Sequence, residues 1–203
     1  MLKIKFLALI VALSTTFTAC KKNVKPASEQ KNGYSLTEEN TTINWTAFKT
    51  TKKVPVKGTF YQVSLENNNP AESKLEALNN VRFKIPVSSV FSNDSIRDGK
   101  LKKFFFGVME NTSLISGKVH YKGENKGQVA LTMNGVTENL PVVFIENENE
   151  VRIKSTLILN NWNAQKSIHA LNLVCKELHT GEDGITKTWN EVEIEVIASF
   201  SDK

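Results

Sequence analysis

The chain has 203 residues, 40% hydrophobic and 23% charged, a size and balance suited to one globular domain with its own core. Ten glycines and five prolines exclude collagen-like and low-complexity chains, and the hydrophobic share excludes intrinsic disorder. The formal charge of +5 invites a nucleic-acid or anionic-membrane reading that depends on where the charge sits, while two cysteines, Cys20 and Cys175, exclude a disulfide scaffold and a four-thiolate zinc site.

Residues 1–19 have the layout of a secretory signal peptide: Lys3 and Lys5, an apolar run from Phe6 to Leu13, then small and polar residues up to Ala19. The run is too short for a permanent span, which needs about 20 apolar residues. Ala19-Cys20 resembles the bacterial lipobox, in which the cysteine is diacylated and becomes the first residue of the mature protein. Phe17 departs from the Leu more usual there. That resemblance implies lipid attachment at Cys20, export across the inner membrane, and anchoring to a membrane through the lipid. The alternative is an ordinary export signal with a chance cysteine. Lys21 after the cysteine, rather than Asp, is similar to the pattern of outer-membrane sorting, so the expected product is a periplasm-facing lipoprotein on the outer membrane. Cys20 and the polar stretch to Gly33, with Pro26 inside it, read as a flexible tether, followed by a domain over residues 34–203.

From Ile43 onward, period-2 alternation dominates and predicts strands. Ile43, Trp45 and Ala47 share one face. Thr59, Tyr61, Val63 and Leu65 share a face that alternates with Phe60. Val81, Phe83, Ile85 and Val87 follow, then Leu114–Lys122, Gln128–Met133 and Leu140–Ile145. Asn134-Gly135 between the last two is a strong hairpin dipeptide, because both central positions favour positive φ. Val151, Ile153, Leu157 and Leu159 make a further strand, and Val192 to Phe200 the last. About eight strands at this spacing suit an antiparallel barrel or a sandwich. Two segments look helical. Ala164, Ile168, Leu171, Cys175 and Leu178 recur at spacings of four and three, with Asn163 as N-cap and Gly181 as terminator. Asp94 to Val108 suits a short helix or two turns.

Ser88–Gly107, SSVFSNDSIRDGKLKKFFFG, resembles the YceI-like proteins, in which a strand ends in Ser and Asn or Asp, followed by Arg-Asp and a Phe-rich apolar helix. Leu131–Phe144, LTMNGVTENLPVVF, is similar to that family's strand, Gly-Val-Thr turn and next strand. Tyr34-Ser35-Leu36, Ile43-Asn44-Trp45 and Lys57-Gly58-Thr59-Phe60 fit its first strands, so the likeness covers roughly residues 34–201. The resemblance implies a mainly β fold: a lipocalin-like, antiparallel, eight-stranded β-barrel with one or two short helices. It also implies an apolar interior that holds a long-chain isoprenoid or other lipid, such as a polyprenyl phosphate or a quinone; with no convincing catalytic set in the sequence, a binding module without turnover or cofactor is expected. Ala170–Val192 is longer than the family's usual final connection.

Within that frame Trp45, Phe60, Phe83, Leu131, Met133, Leu157 and Leu159 are the candidate barrel-lining residues. Each also suits an ordinary packed core. A barrel filled by its own side chains, serving a structural or stress-related role in the envelope, is therefore the alternative. A second alternative is a thiol or metal enzyme built on Cys175 and His179, four apart on the predicted helix, with His169 and Glu177 nearby. Its bland counterpart makes Cys175 a small core residue and His179 an imidazolium suited to a helix end. Arg97-Asp98 reads as a pin at the strand-to-helix junction, and Lys100, Lys102 and Lys103 as a solvated face, with a phosphate contact as the lesser reading. No phosphate loop, dinucleotide fingerprint or zinc-helix motif occurs. The charge divides unevenly: residues 34–203 hold 20 basic and 20 acidic residues, so the net +5 belongs to the signal and tether. The nucleic-acid reading loses its support.

Overall fold

The computed structural model of the chain describes residues 33–111 and 113–200; the predicted signal peptide, Cys20 and all of the tether except Gly33 lie outside them. Alternating apolar and polar residues give ten antiparallel strands: β1 (Thr41–Lys49), β2 (Val54–Phe60), β3 (Ser64–Glu66), β4 (Arg82–Pro86), β5 (Val90–Phe91), β6 (Leu114–Gly123), β7 (Lys126–Met133), β8 (Val136–Glu146), β9 (Glu150–Ile158) and β10 (Thr188–Ser199). They form one sheet in the order β3-β4-β6-β7-β8-β9-β10-β1-β2-β5.

The two ends of that order belong to the same two stretches of chain. β2 bends into β3 through Tyr61–Val63, and β4 bends into β5 through a 3₁₀ turn at Val87–Ser89. β2 pairs with β5, and β3 with β4. Between the two ladders the Tyr61 N–H donates to the Ser89 carbonyl at 3.1 Å, and the wholly buried Ser89 hydroxyl donates to Pro86 O at 2.7 Å. The sheet is thus an eight-stranded barrel in which two neighbouring strands are each bent into two pieces. The bend shifts register, from Phe60↔Val90 to Ser64↔Lys84. It also resets the inward face: Phe60 lines the interior with Val63 and Leu65, whereas Tyr61 is exposed. The even alternation read from Thr59 to Leu65 therefore does not hold, because the chain turns a corner at Tyr61–Val63.

Hairpin chemistry matches the expected turn: Asn134 and Gly135 have φ of 52° and 70°. One end of the barrel is closed by the N-terminal segment, whose Tyr34 exchanges two backbone hydrogen bonds with Ala71, and by α1 (Lys74–Leu78), capped by Ser73. No strong periodicity announces this five-residue helix. Its buried Lys74 donates to the carbonyls of Asn147 and Glu148 at 2.7 and 2.6 Å, tying it to the β8–β9 hairpin.

The other end is covered by α2 (Ser95–Lys100), a π-helical stretch (Leu101–Phe105) and a 3₁₀ turn (Phe106–Val108), and by α3 (Gln165–Val174) and α4 (Lys176–His179). Trp162 is almost wholly buried and donates its indole N–H to Leu131 O at 2.9 Å, while the Asn134 amide donates to Trp162 O at 2.8 Å. These bonds bolt the helical cover to the β7–β8 turn. Three expectations change here. Asn163 is the left-handed C-cap of a 3₁₀ turn (Leu159–Trp162), so Leu159 starts that turn instead of ending a strand, and α3 begins at Gln165. The helix breaks at Cys175, which turns Leu178 outward to 60% exposure although the stripe before it is buried or half-buried. The last strand starts earlier than the alternation from Val192 marks: β10 opens at Thr188.

Candidate functional site

The inward faces of the strands surround an apolar cavity of about 200 Å³. All seven candidate lining residues, Trp45, Phe60, Phe83, Leu131, Met133, Leu157 and Leu159, lie on its wall. Ile43, Ile115, Val129, Leu140, Ile153, Ile194 and others of the same kind complete it, and Thr41, Ser155 and Thr188 bring hydroxyls. Side chains of this barrel do not fill it, and the reason is visible in the glycines. Trp45 faces Gly58 across the β1–β2 ladder, where a Cβ would come within 2.2 Å of the indole. Phe83 faces Gly117 in the same way, at 2.6 Å. Phe144 lies over Gly127, at 2.8 Å. Each ring lies back against bare backbone on the neighbouring strand instead of projecting into the lumen.

At the helical end the cavity adjoins a smaller pocket of about 120 Å³, and the two share Trp45, Ala47, Leu101, Leu171 and Thr188. Here the lining changes character. Lys49, Asp94, Arg97, Lys100, Cys175 and His179 stand beside the exposed aliphatic chains of Ile96 and Leu178. Asp94 caps α2 by accepting the Arg97 N–H at 3.0 Å, which with the nearby positive charges keeps its carboxyl below the usual range. The Arg97 guanidinium is committed to Ser92, donating to its hydroxyl at 2.7 Å and its carbonyl at 2.8 Å. The Ser92 hydroxyl in turn donates to buried Asp98 at 2.6 Å. Arg97 and Asp98 hold the junction through Ser92.

The enzyme constellation is not assembled. His169 and Glu177 are exposed, and only Cys175 and His179 reach the pocket. Burial pushes the Cys175 thiol up despite Lys100 and Lys49. His179 is lowered to about 4, first by burial and then by Lys49 and Lys100, so it is a neutral imidazole and not the imidazolium expected at a helix end. Its Nδ1 lies 2.7 Å from the Thr188 hydroxyl, which donates onward to Asn172 Oδ1 at 2.8 Å. Since that hydroxyl proton points to Asn172, Nδ1 carries the imidazole proton and Nε2 its lone pair. Among the described residues no group of three or more His, Cys, Asp or Glu could hold a metal ion. Lys100 leaves the solvated face expected for it and enters the pocket, while Lys102 and Lys103 stay exposed. Lys49 and Thr188 were not singled out in the sequence. They stand at adjacent strand ends, paired across β1 and β10, and only the barrel's register brings them to the mouth.

The fold is shared with solved structures of low sequence identity. A polyisoprenoid-binding domain from Saccharophagus degradans, implicated in plant cell wall breakdown, aligns with a TM-score of 0.60 at 12% identity, covering 84% of this chain and 99% of that one. The BcnA protein of Burkholderia cenocepacia aligns at 0.52 and 18%, covering 80% and 98%. The YceI protein of Campylobacter jejuni aligns at 0.50 and 12%, covering 73% and 86%. None of the curated proteins matches. The sequence itself matches the YceI-like domain from residue 34 to residue 200, which takes in every strand and helix described above, and the chain belongs to that family.

Proposed function

We propose that this chain is an envelope lipoprotein that binds or carries a long-chain isoprenoid-type lipid inside its barrel, without catalysing a reaction on it. The observation that carries the reading is the unfilled apolar cavity lined by Trp45, Phe60, Phe83, Leu131, Met133, Leu157 and Leu159. A tail in this cavity gains roughly 0.8 kcal/mol per methylene removed from water. An isoprene unit therefore contributes on the order of 3–4 kcal/mol before association costs, and tight binding needs no polar contact with the tail. The polyisoprenoid-binding relative from Saccharophagus degradans supports the same class of ligand. In this proposal Cys20 carries the anchoring lipid, the residues up to Gly33 tether the barrel, and the protein faces the periplasm from the outer membrane.

Solvent extraction of protein purified from its native envelope, followed by mass spectrometry, should recover an isoprenoid, and stripped protein should rebind geranylgeraniol. Absence of both overturns the lipid reading. The anchoring is tested separately: Cys20→Ala should abolish incorporation of labelled palmitate and release the protein from the membrane fraction. Unchanged labelling would exclude Cys20 as the attachment point.

A further inference from the structure

The helices over the mouth carry side chains that the barrel leaves uncovered. Among the described residues five large hydrophobic side chains are more than half exposed, and three of them, Ile96, Leu173 and Leu178, stand on α2, α3 and α4. A fourth, Ile185, lies in the turn between α4 and β10, whose Glu182 and Asp183 reach Lys52 and the Thr51 hydroxyl on the β1–β2 turn at the same end. Ile96 and Leu178 border the mouth pocket itself. The same cover carries four exposed lysines, Lys102 and Lys103 on the π-helical stretch, Lys166 on α3 and Lys176 on α4. None of the four has a carboxylate partner among the described residues, in contrast to Lys52, Lys53, Lys74, Lys84 and Lys154. From residue 94 to 108 and from 165 to 179 the cover holds six basic and three acidic residues, a net +3; residues 34–203 hold 20 of each, so the remainder carries −3. Two of those three carboxylates are already engaged, Asp94 in capping α2 and Asp98 in accepting the Ser92 hydroxyl.

We infer that the helical cover is a docking face for an anionic phospholipid bilayer, with Ile96, Leu173 and Leu178 entering the acyl boundary while the lysines keep their ammonium groups among the lipid phosphates. Single aliphatic chains set among lysines suit a bilayer and not a protein partner, because the buried centres of protein interfaces are rich in aromatic residues and arginine and depleted of lysine. The charge has the matching sign: each lysine beside an anionic leaflet strengthens attachment about fivefold. The face is separate from the proposed anchor at Cys20, since the described chain begins at Gly33 and Tyr34, which closes the opposite end of the barrel. A bilayer docked here lies against the mouth pocket, and through the shared wall at Trp45, Leu101 and Leu171 next to the cavity. The inference goes beyond the lipid reading and does not need it, because the bilayer is recognised by the outer face of the cover whatever the cavity holds.

The test uses the full chain and vesicles of chain-brominated phosphatidylcholine, with or without phosphatidylglycerol, in which bromine quenches tryptophan only on close approach. Ile96→Trp and Leu178→Trp should each show quenching beyond that of the parent in vesicles containing phosphatidylglycerol, and little in phosphatidylcholine alone. Ile145→Trp, on the outer wall of β8, should show none in either. Added to Ile96→Trp, Lys102→Gln and Lys176→Gln should each lower the ratio of docked to undocked protein about fivefold, and high salt should do the same. A parental circular dichroism spectrum and Tm show that a variant is folded. Absence of quenching at both cover positions overturns the docking face, as does equal quenching at Ile145→Trp, which would mark closeness to the vesicle without orientation. Equal quenching in both vesicle types, with the lysine variants indifferent, overturns the anionic partner. A photoreactive side chain at position 96 that crosslinks to one protein in the native envelope, with no quenching in vesicles, assigns the face to a protein and overturns the bilayer. None of these readouts involves the cavity, so their failure leaves the lipid reading standing, and failure to bind geranylgeraniol leaves the docking face standing.

Discussion

Gly58→Ala is a small change with a sign that separates two views of the barrel. In an unobstructed strand, replacing glycine by alanine stabilises by about 0.5–1 kcal/mol through chain entropy. At Gly58 the new Cβ would stand 2.2 Å from Trp45 Cζ2 and 2.5 Å from the Phe91 carbonyl oxygen. Trp45 is buried in the wall, so its ring can yield only toward the lumen, and the backbone of β5 must also give. Overpacking of this kind costs about 1–3 kcal/mol, which leaves a net loss of about 1–2 kcal/mol after the entropy gain. For a domain of this size that is a fall in Tm of about 2–8 °C, measured by circular dichroism or calorimetry. The displaced ring should also lower the affinity for geranylgeraniol. Trp45→Leu removes the contact, so the double variant should be more stable than the sum of the two single losses by about 1 kcal/mol. A Tm that is unchanged or raised in Gly58→Ala, with strictly additive double-variant energies, would refute the idea that glycines hold the cavity open.

Other outcomes follow from the same structure. Leu131→Trp should occupy the lumen and weaken geranylgeraniol binding while circular dichroism stays that of a β-barrel; unchanged affinity would place the tail elsewhere. Lys74→Met should cost about 1–2 kcal/mol in chemical denaturation, the low end for a charged donor, because the freed carbonyls of Asn147 and Glu148 lie on an exposed hairpin and rehydrate. His179 has its folded-state value lowered to about 4 from 6.5, so its contribution to stability is present above about pH 6.5 and is lost as pH falls toward 4. His179→Gln should flatten that part of the stability profile, and a profile identical to that of the parent would count against a buried neutral imidazole. Cys175, buried and held protonated, should react with a thiol reagent at pH 7.5 only once denaturant opens the protein; fast labelling of the native state would contradict the packing.

Local patterns carried the parts of the fold that depend on neighbours in the chain. The alternation through Ile43, Trp45 and Ala47 survives because that part of β1 pairs without a break on both sides, and Asn134-Gly135 survives because turn geometry is set within four residues. The lining was readable for a related reason: a residue such as Met133 or Leu157 needs only the parity of its own strand to be placed inside. What could not be read depends on distant partners. The corner at Tyr61–Val63 is fixed by Ser89, and the corner at Val87–Ser89 by β2, so neither shows in its own segment. Asn163 has the composition of an N-cap, yet the preceding turn, anchored by Trp162 to Leu131, gives it a left-handed C-cap instead. The mouth pocket joins the ends of β1, β10, α2 and α4, and no spacing in the sequence relates Lys49 to Lys100 or either to His179.

The two corners at Tyr61–Val63 and Val87–Ser89 have a bearing on how such barrels can change length over generations. On one side of them the inward positions are even-numbered, Phe60 and Val90; on the other they are odd-numbered, Leu65, Phe83 and Ile85. Both chains invert at the same height, and the two inversions cancel, so inside still meets inside. A single residue gained at one corner and passed on along the strand would turn the following half-strand inside out, and a gain at the other corner would not right it, because β3 pairs with β4 and β5 with β2. Changes of length in these two stretches should therefore preserve the parity of each corner by itself, and an alignment that opens a one-residue gap at either will misplace half of the barrel's seam.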